Sequence, residues 1–193
     1  PYLLGTGVYV VLIAVSSTLL YFTQARIVSD AAEELERRVA LFAQLDLWRQ
    51  AGMLAAQLFI TNRLIRWIGL GRTLAVLPIV TAAGFGVLAW TAGRPGVEAW
   101  QVFGVLAAFQ AAHRACRYAV ARPTREMLFS VVSDAEKYKA KPIVDLFFFR
   151  GGDAAGAGVE KALAGAGLAL GGMALMAAPL AGEWVLVGLW LAS

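Results

Sequence analysis

The chain has 193 residues, 60% of them hydrophobic and 16% charged, with a formal net charge of +4 and a mean hydropathy of +0.67. Soluble domains are about 45–50% apolar and about 25% charged, and a fold this small buries too little of its surface to hide the difference. Composition therefore argues against a water-soluble enzyme and against a disordered tail, and it makes lipid the expected solvent. The single cysteine, Cys116, leaves no internal disulfide framework, and no Cys/His set has metal-ligand spacing. No metal, cofactor or nucleic-acid partner is expected.

The chain begins Pro1-Tyr2-Leu3, without an initiator Met or a basic leader, and its first apolar run is too long for a signal-peptide core. This is the expected start of a fragment of a longer polypeptide or of a processed chain. Runs of about 20 apolar residues mark membrane-spanning helices, and six are predicted, at about 2–28, 40–62, 73–93, 98–121, 142–164 and 169–193. The first and third carry no charge over Tyr2 to Ala25 and Thr73 to Gly93. The second contains Asp46 and Arg49. The fourth ends in His113, Arg114 and Arg117, with His113 expected at the membrane boundary. The fifth contains Asp145, Arg150 and Asp153. Ala164-Gly165-Ala166-Gly167 is either the turn between the last two helices or part of one of them. Pro179 would kink the sixth. Gly152/Gly156 and Gly167/Gly171 have the four-residue spacing that lets helix backbones approach closely.

Residues 122–141 read as a loop with a short amphipathic helix. Ser133-Asp134-Ala135-Glu136 has the S/T-x-x-E form of a capping box, opening a helix through Lys137, Lys139 and Lys141 that stops before Pro142; these lysines suit anionic headgroups. Ten Lys and Arg residues fall in or beside the second and fourth loops and four in the others. By the positive-inside rule the even loops and both ends of this segment face the cytoplasm.

Polar residues inside the spans fall into stripes. Asp46, Arg49, Gln50, Met53 and Gln57 share one face of the second helix at 3.6-residue periodicity. Ser17, Tyr21 and Gln24 share a face of the first, and Gln110, Arg114 and Arg117 a face of the fourth. Arg150 and Asp153 form an i, i+3 pair on the fifth. Charges in hydrocarbon normally face a water-filled path or pair with one another. The stripes therefore predict either a cationic cavity suited to an anionic solute or a set of salt bridges that fix the bundle.

The loop Asn62-Arg63-Leu64-Ile65-Arg66-Trp67-Ile68-Gly69-Leu70-Gly71-Arg72 resembles the G-K-L-x-D-R-x-G-R-R-R signature of major facilitator transporters. It matches at Arg63, Leu64, Gly69 and Arg72 and departs at Asn62, Arg66 and Trp67. The stretch from Ala121-Arg122-Pro123-Thr124-Arg125-Glu126 through Lys137-Tyr138-Lys139-Ala140-Lys141 to Asp145 and Arg150-Gly151-Gly152-Asp153 resembles the bacterial relatives of the non-mitochondrial ATP/ADP translocases. That resemblance implies an all-α membrane fold, in which this chain is the C-terminal six-helix half (helices seven to twelve) of an alternating-access secondary transporter in a bacterial-type inner membrane. Its partners would be the N-terminal half of the same polypeptide, the bilayer, and a small anionic solute of the ATP/ADP class. The expected substrate contacts are Arg49 and Arg150, with Tyr21 as a stacking surface and Gln57 and Gln110 beside them. Asp46, Asp145, Asp153, Arg63, Arg66, Arg72, Arg114 and Arg117 are the gating and coupling candidates. A proton-coupled transporter of another solute, and a membrane anchor for a fused regulatory domain, remain open alternatives.

Overall fold

The protein is described by a computed structural model covering residues 2–59, 61–128, 134–167, 180 and 182–191. It is all-helical among the described residues. The uncharged opening run forms α1 (Tyr2–Ala31), and a short bend leads into α2 (Leu35–Phe59). The next helix, α3 (Thr61–Ala92), follows almost without interruption. Then come α4 (Ala99–Ala115), a widened i→i+5 turn over Cys116–Ala121, and α5 (Arg122–Leu128). After residues 129–133, α6 (Asp134–Ile143) passes through a second widened turn (Val144–Phe148) into α7 (Phe149–Gly165), and a last helix, α8, covers 182–190. Two of these helices are long and apolar enough to cross a membrane, Leu3–Ala31 and Arg72–Ala92.

Several boundaries differ from the sequence expectation. The segment 63–72, read as a loop, is helical on both sides of Gly69, where the backbone turns through φ 76° and ψ 171°. That left-handed φ suits glycine, so the chain changes direction there without leaving helical geometry for long. Pro142 does not stop its helix either: it lies inside α6, and the chain widens into the i→i+5 turn directly after it. Prolines kink rather than end a helix when neighbouring bonds shift register. The end of α7 is a turn at Ala166 and Gly167, with Gly167 at φ 69°. Ser133 of the expected capping box, Gly171, Pro179 and most of 169–193 lie outside the described residues.

The helices are held by two kinds of contact. α1 lies directly against α7, because Gly152 and Gly156 remove the side chains between them. A Cβ on Gly152 would sit 2.8 Å from the Val11 carbonyl oxygen, and one on Gly156 3.2 Å from the Val15 Cα. This is the small-residue packing that substitutes for a hydrophobic drive between helices in lipid. Elsewhere large side chains interlock. Leu19 and Leu20 of α1, Leu45 of α2, Phe85 and Leu88 of α3, and Leu106 and Phe109 of α4 form one buried cluster. The Phe85 and Phe109 rings meet edge to face with centroids 5.2 Å apart. A second cluster joins Tyr9, Leu74, Leu77 and Ala121 to Trp184 of α8, and the Tyr9 hydroxyl donates to the Leu74 carbonyl at 2.8 Å. α2 packs mainly on α4 and touches α1, so α1, α2 and α4 enclose the space where the polar stripes point.

Candidate functional site

Seven of the residues singled out from the sequence line one cavity of about 100 Å³: Ser17, Tyr21 and Gln24 from α1, Arg49 from α2, Gln110 and Arg114 from α4, and Arg117 from the widened turn. That volume is roughly three waters at ~30 Å³ each. Helical periodicity explains the convergence: each stripe lies on one face of its helix, and the three helices pack with those faces inward.

The cavity floor is a hydrogen-bonded relay. Gln24, 1% exposed, accepts at Oε1 from Gln110 Nε2 at 2.9 Å and from Arg49 Nη1 at 3.4 Å. Arg49 also pairs with Asp46 one turn earlier on α2. Arg117 donates to Ser17 Oγ at 2.8 Å. Arg114 and Arg117 both stand over the Tyr118 ring at 5.5 Å, and the Phe149 ring lies 5.2 Å from Arg117. Guanidinium planes against aromatic faces are held in place while their N–H edges stay free. Tyr21, 60% exposed, sits at the mouth.

Four buried side-chain atoms on these lining residues have no hydrogen-bond partner: Arg49 Nε, Gln110 Oε1, His113 Nε2 and Arg114 Nε. Buried polar atoms are nearly always paired, and leaving one unpaired costs about 1–3 kcal/mol. They cluster at one cavity, so among the described residues this is where buried polar groups remain open to a polar partner. Three guanidiniums face the cavity, and the carboxylate beside them, Asp46, is already engaged with Arg49. The surplus is positive, and the free Gln110 oxygen adds an acceptor.

Not every sequence candidate is brought here. Arg150 is exposed and stands outside this cavity. Among the described residues Asp153 pairs with no arginine; it accepts instead from the Thr18 hydroxyl at 3.1 Å across the α1–α7 contact. The expected Arg150–Asp153 pair is therefore replaced by an interhelical bond, because Asp153 is on the α1-facing side of α7 and Arg150 is not. Gln57 is exposed near the end of α2, and Arg63, Arg66 and Arg72 are exposed around the Gly69 bend. Asp145 lies elsewhere too, 3.1 Å from Arg125.

Three residues were missed or misplaced. His113, expected at the membrane boundary, is 4% exposed and lines the cavity; its position three after Gln110 puts it on the same stripe. Tyr118, four after Arg114, is found by the same rule. Arg125 required knowledge of the widened turn. In a regular helix with 3.6 residues per turn, residues eight apart stand roughly 80° from each other, near the edge of a shared face. The i→i+5 turn, in which the Arg122 N–H bonds to the Arg117 carbonyl, absorbs an extra residue. Pro123, just beyond it, lacks an N–H, and in a regular helix its ring would crowd the Ala119 carbonyl. Arg117 and Arg125 consequently line one second cavity of about 310 Å³, with Arg122, Asp145 and Phe149.

Comparison with protein-family models, with curated proteins and with solved structures finds no match to this chain. Its functional reading therefore rests on the site.

Proposed function

We propose that this chain is a membrane transport module that binds an anionic solute between α1, α2 and α4, and that it forms the C-terminal six-helix half of a major-facilitator-type secondary transporter. The observation that carries the binding reading is the convergence of Arg49, Arg114 and Arg117 on one cavity where buried Arg49 Nε, Arg114 Nε and Gln110 Oε1 await partners. A set of purely structural salt bridges would leave those atoms satisfied, since an unpaired buried polar group is costly. Guanidinium edges favour phosphate or carboxylate oxygens bidentately. The free Gln110 oxygen favours a solute that also carries an N–H or O–H donor.

Membrane residence is supported by the two long apolar helices, Leu3–Ala31 and Arg72–Ala92. The remaining helices would complete six spans, with residues 122–141 on the cytoplasmic side as the Lys/Arg distribution requires. Nucleotide, with ATP/ADP-type exchange, is the solute that the resemblance of residues 121–153 implies. The cavity holds the anionic group of such a solute, and an N-terminal half facing it would supply the rest. The chain carries no reaction in this reading; it binds and releases.

The test is exchange in proteoliposomes made with the complete polypeptide, loaded with ATP and offered labelled ADP. Exchange that Arg114→Gln lowers about tenfold, with protein incorporation unchanged, supports the reading; the loss of one charge-assisted hydrogen bond is worth about 1.5–3 kcal/mol. Uptake of another anion with the same arginine dependence keeps the cavity and changes the solute. Absence of any arginine-dependent anion binding or flux removes the transporter reading.

A proton-coupled carrier is favoured by one observation, the buried His113 with Nε2 unpartnered at the cavity wall. Under that reading uptake depends on an imposed pH gradient, and His113→Gln abolishes the dependence while leaving solute binding.

A further inference from the structure

The second cavity is larger than the first and is lined by three arginines against one carboxylate. Arg117 lines this cavity as well as the solute cavity, and Arg122 and Arg125 line this one alone. Asp145 is the carboxylate, held by Arg125 Nη2 at 3.1 Å. Arg125 keeps its Nε buried and without a partner, so the guanidinium that grips Asp145 still has a donor to offer. Arg117 is fixed from both sides, by the Ser17 hydroxyl at 2.8 Å and the Phe149 ring at 5.2 Å. Among the described residues Arg122 makes no ion pair within 4 Å, and the nearby Glu126 carboxylate is engaged by Lys141 Nζ at 2.7 Å.

We propose that this second cavity, between the widened turn, α5 and the Asp145 turn, is a phosphate-binding site separate from the solute cavity. The lining residues carry three formal positive charges against one negative, an excess of two, and Glu126 beside Arg125 is offset by Lys141. A phosphomonoester or inorganic phosphate, at about −1.5 to −2 near neutral pH, matches that excess; a monocarboxylate does not. Three guanidinium forks converging from Arg117, Arg122 and Arg125 suit a tetrahedral group with three outward oxygens. Asp145 occupies part of that role in the empty site, as a carboxylate that an arriving phosphate displaces from Arg125. The widened turn sharpens the site, because the residue it absorbs brings Arg125 closer to the face of Arg117.

The phosphate can come from a soluble anion or from the monoester headgroup of a membrane lipid, since the site lies where α5 leaves the apolar part of α4. The chemistry is shared, and the experiment separates the sources. The inference does not depend on the solute cavity being a transport site.

The protein is placed in nanodiscs of phosphatidylcholine alone and titrated with inorganic phosphate. In parallel it is placed in nanodiscs containing phosphatidic acid, with retained lipid counted by native mass spectrometry. Saturable thermal stabilisation by phosphate, or selective retention of phosphatidic acid over the diester phosphatidylglycerol, is expected. Arg122→Gln and Arg125→Gln each weaken the effect by about tenfold, Asp145→Asn strengthens it by about threefold as a partly exposed competing pair is removed, and Arg94→Gln, at an exposed charge that lines neither cavity, leaves it unchanged. Should Arg125→Gln fail to fold, the exposed Arg122 carries the test. Binding from neither source overturns the proposal. Binding that ignores Arg122 and disappears in Arg49→Gln also overturns it, and assigns the phosphate to the solute cavity.

Discussion

Two seams run along α1, and both contain polar and charged groups that lipid would punish. In the α1–α7 seam the two acidic groups that face α1 among the described residues are both matched. Asp153 accepts from Thr18, Arg26 meets Glu160 at 2.5 Å, and the backbones touch at Gly152 and Gly156. In the α1–α2–α4 seam the arginines are just as deliberate, yet Arg49, Gln110, His113 and Arg114 each keep a buried atom without a partner, and a cavity remains between them. Charge inside an apolar bundle is thus common to both seams. What separates the two seams is whether the hydrogen bonds close within the protein.

The comparison can be broken most sharply at Gly152. A valine there has no room, since its Cβ alone would lie 2.8 Å from the Val11 carbonyl oxygen. Overpacking of this kind costs about 1–3 kcal/mol, and Gly152→Val is expected to lose that much in detergent or nanodisc unfolding. Gly158, whose added Cβ would meet nothing within 4 Å, is the control, and Gly158→Val should cost far less. Equal losses at the two positions would show that the α1–α7 contact is not the close one described.

The next effect runs in opposite directions in the two seams. Glu160→Gln leaves Arg26 without its ion-pair partner and is expected to destabilise by roughly 1 kcal/mol, the upper end for a partly exposed pair. Arg114→Gln removes a guanidinium whose Nε is already unpartnered, so unfolding should be unchanged or slightly later while anion protection falls about tenfold. A marked loss of stability in Arg114→Gln would place that arginine with the matched groups of the α1–α7 seam.

How much of this was legible from sequence follows from periodicity. The stripes on α1, α2 and α4 could be read because a helix repeats every 3.6 residues, and Ser17, Gln24, Arg49 and Gln110 fall on that repeat. The glycine pair at 152 and 156 was legible for the same reason. What periodicity does not carry is a change of period. The widened turn at Cys116–Ala121 re-aims everything after it, so Arg125 looked like a loop residue. Arg150 illustrates the converse: its i, i+3 spacing to Asp153 is right for a pair, but Thr18 on another helix is the better-placed partner. His113 was hidden by its neighbours Arg114 and Arg117, whose charge suggested a membrane boundary where the fold instead places a buried wall.

The smallest expected effect lies where neither seam reaches, at the junction of α5 and α6. Lys141 Nζ donates to Glu126 at 2.7 Å, and Arg125 lies 3.8 Å from the same carboxylate. Partial burial pushes the Glu126 carboxyl up, but the Lys141 hydrogen bond and charge, with Arg125 and Arg122, outweigh it and hold the group below the usual carboxylate range. A carboxyl depressed in the folded state adds stability above its unfolded pKa, and that stability fades as pH falls through the folded value. The advantage of the native protein over Glu126→Gln should therefore be present at pH 7 and shrink through the acidic carboxylate range. Because the carboxylate is largely solvated, the difference at pH 7 should be small and salt should reduce it further. A closed, matched pair of this sort behaves like the α1–α7 seam in miniature: its removal shifts stability with pH and leaves phosphate binding at Arg122 and Arg125 in place. If Glu126→Gln instead alters phosphate binding as strongly as Arg122→Gln, the junction belongs with the open, ligand-seeking sites.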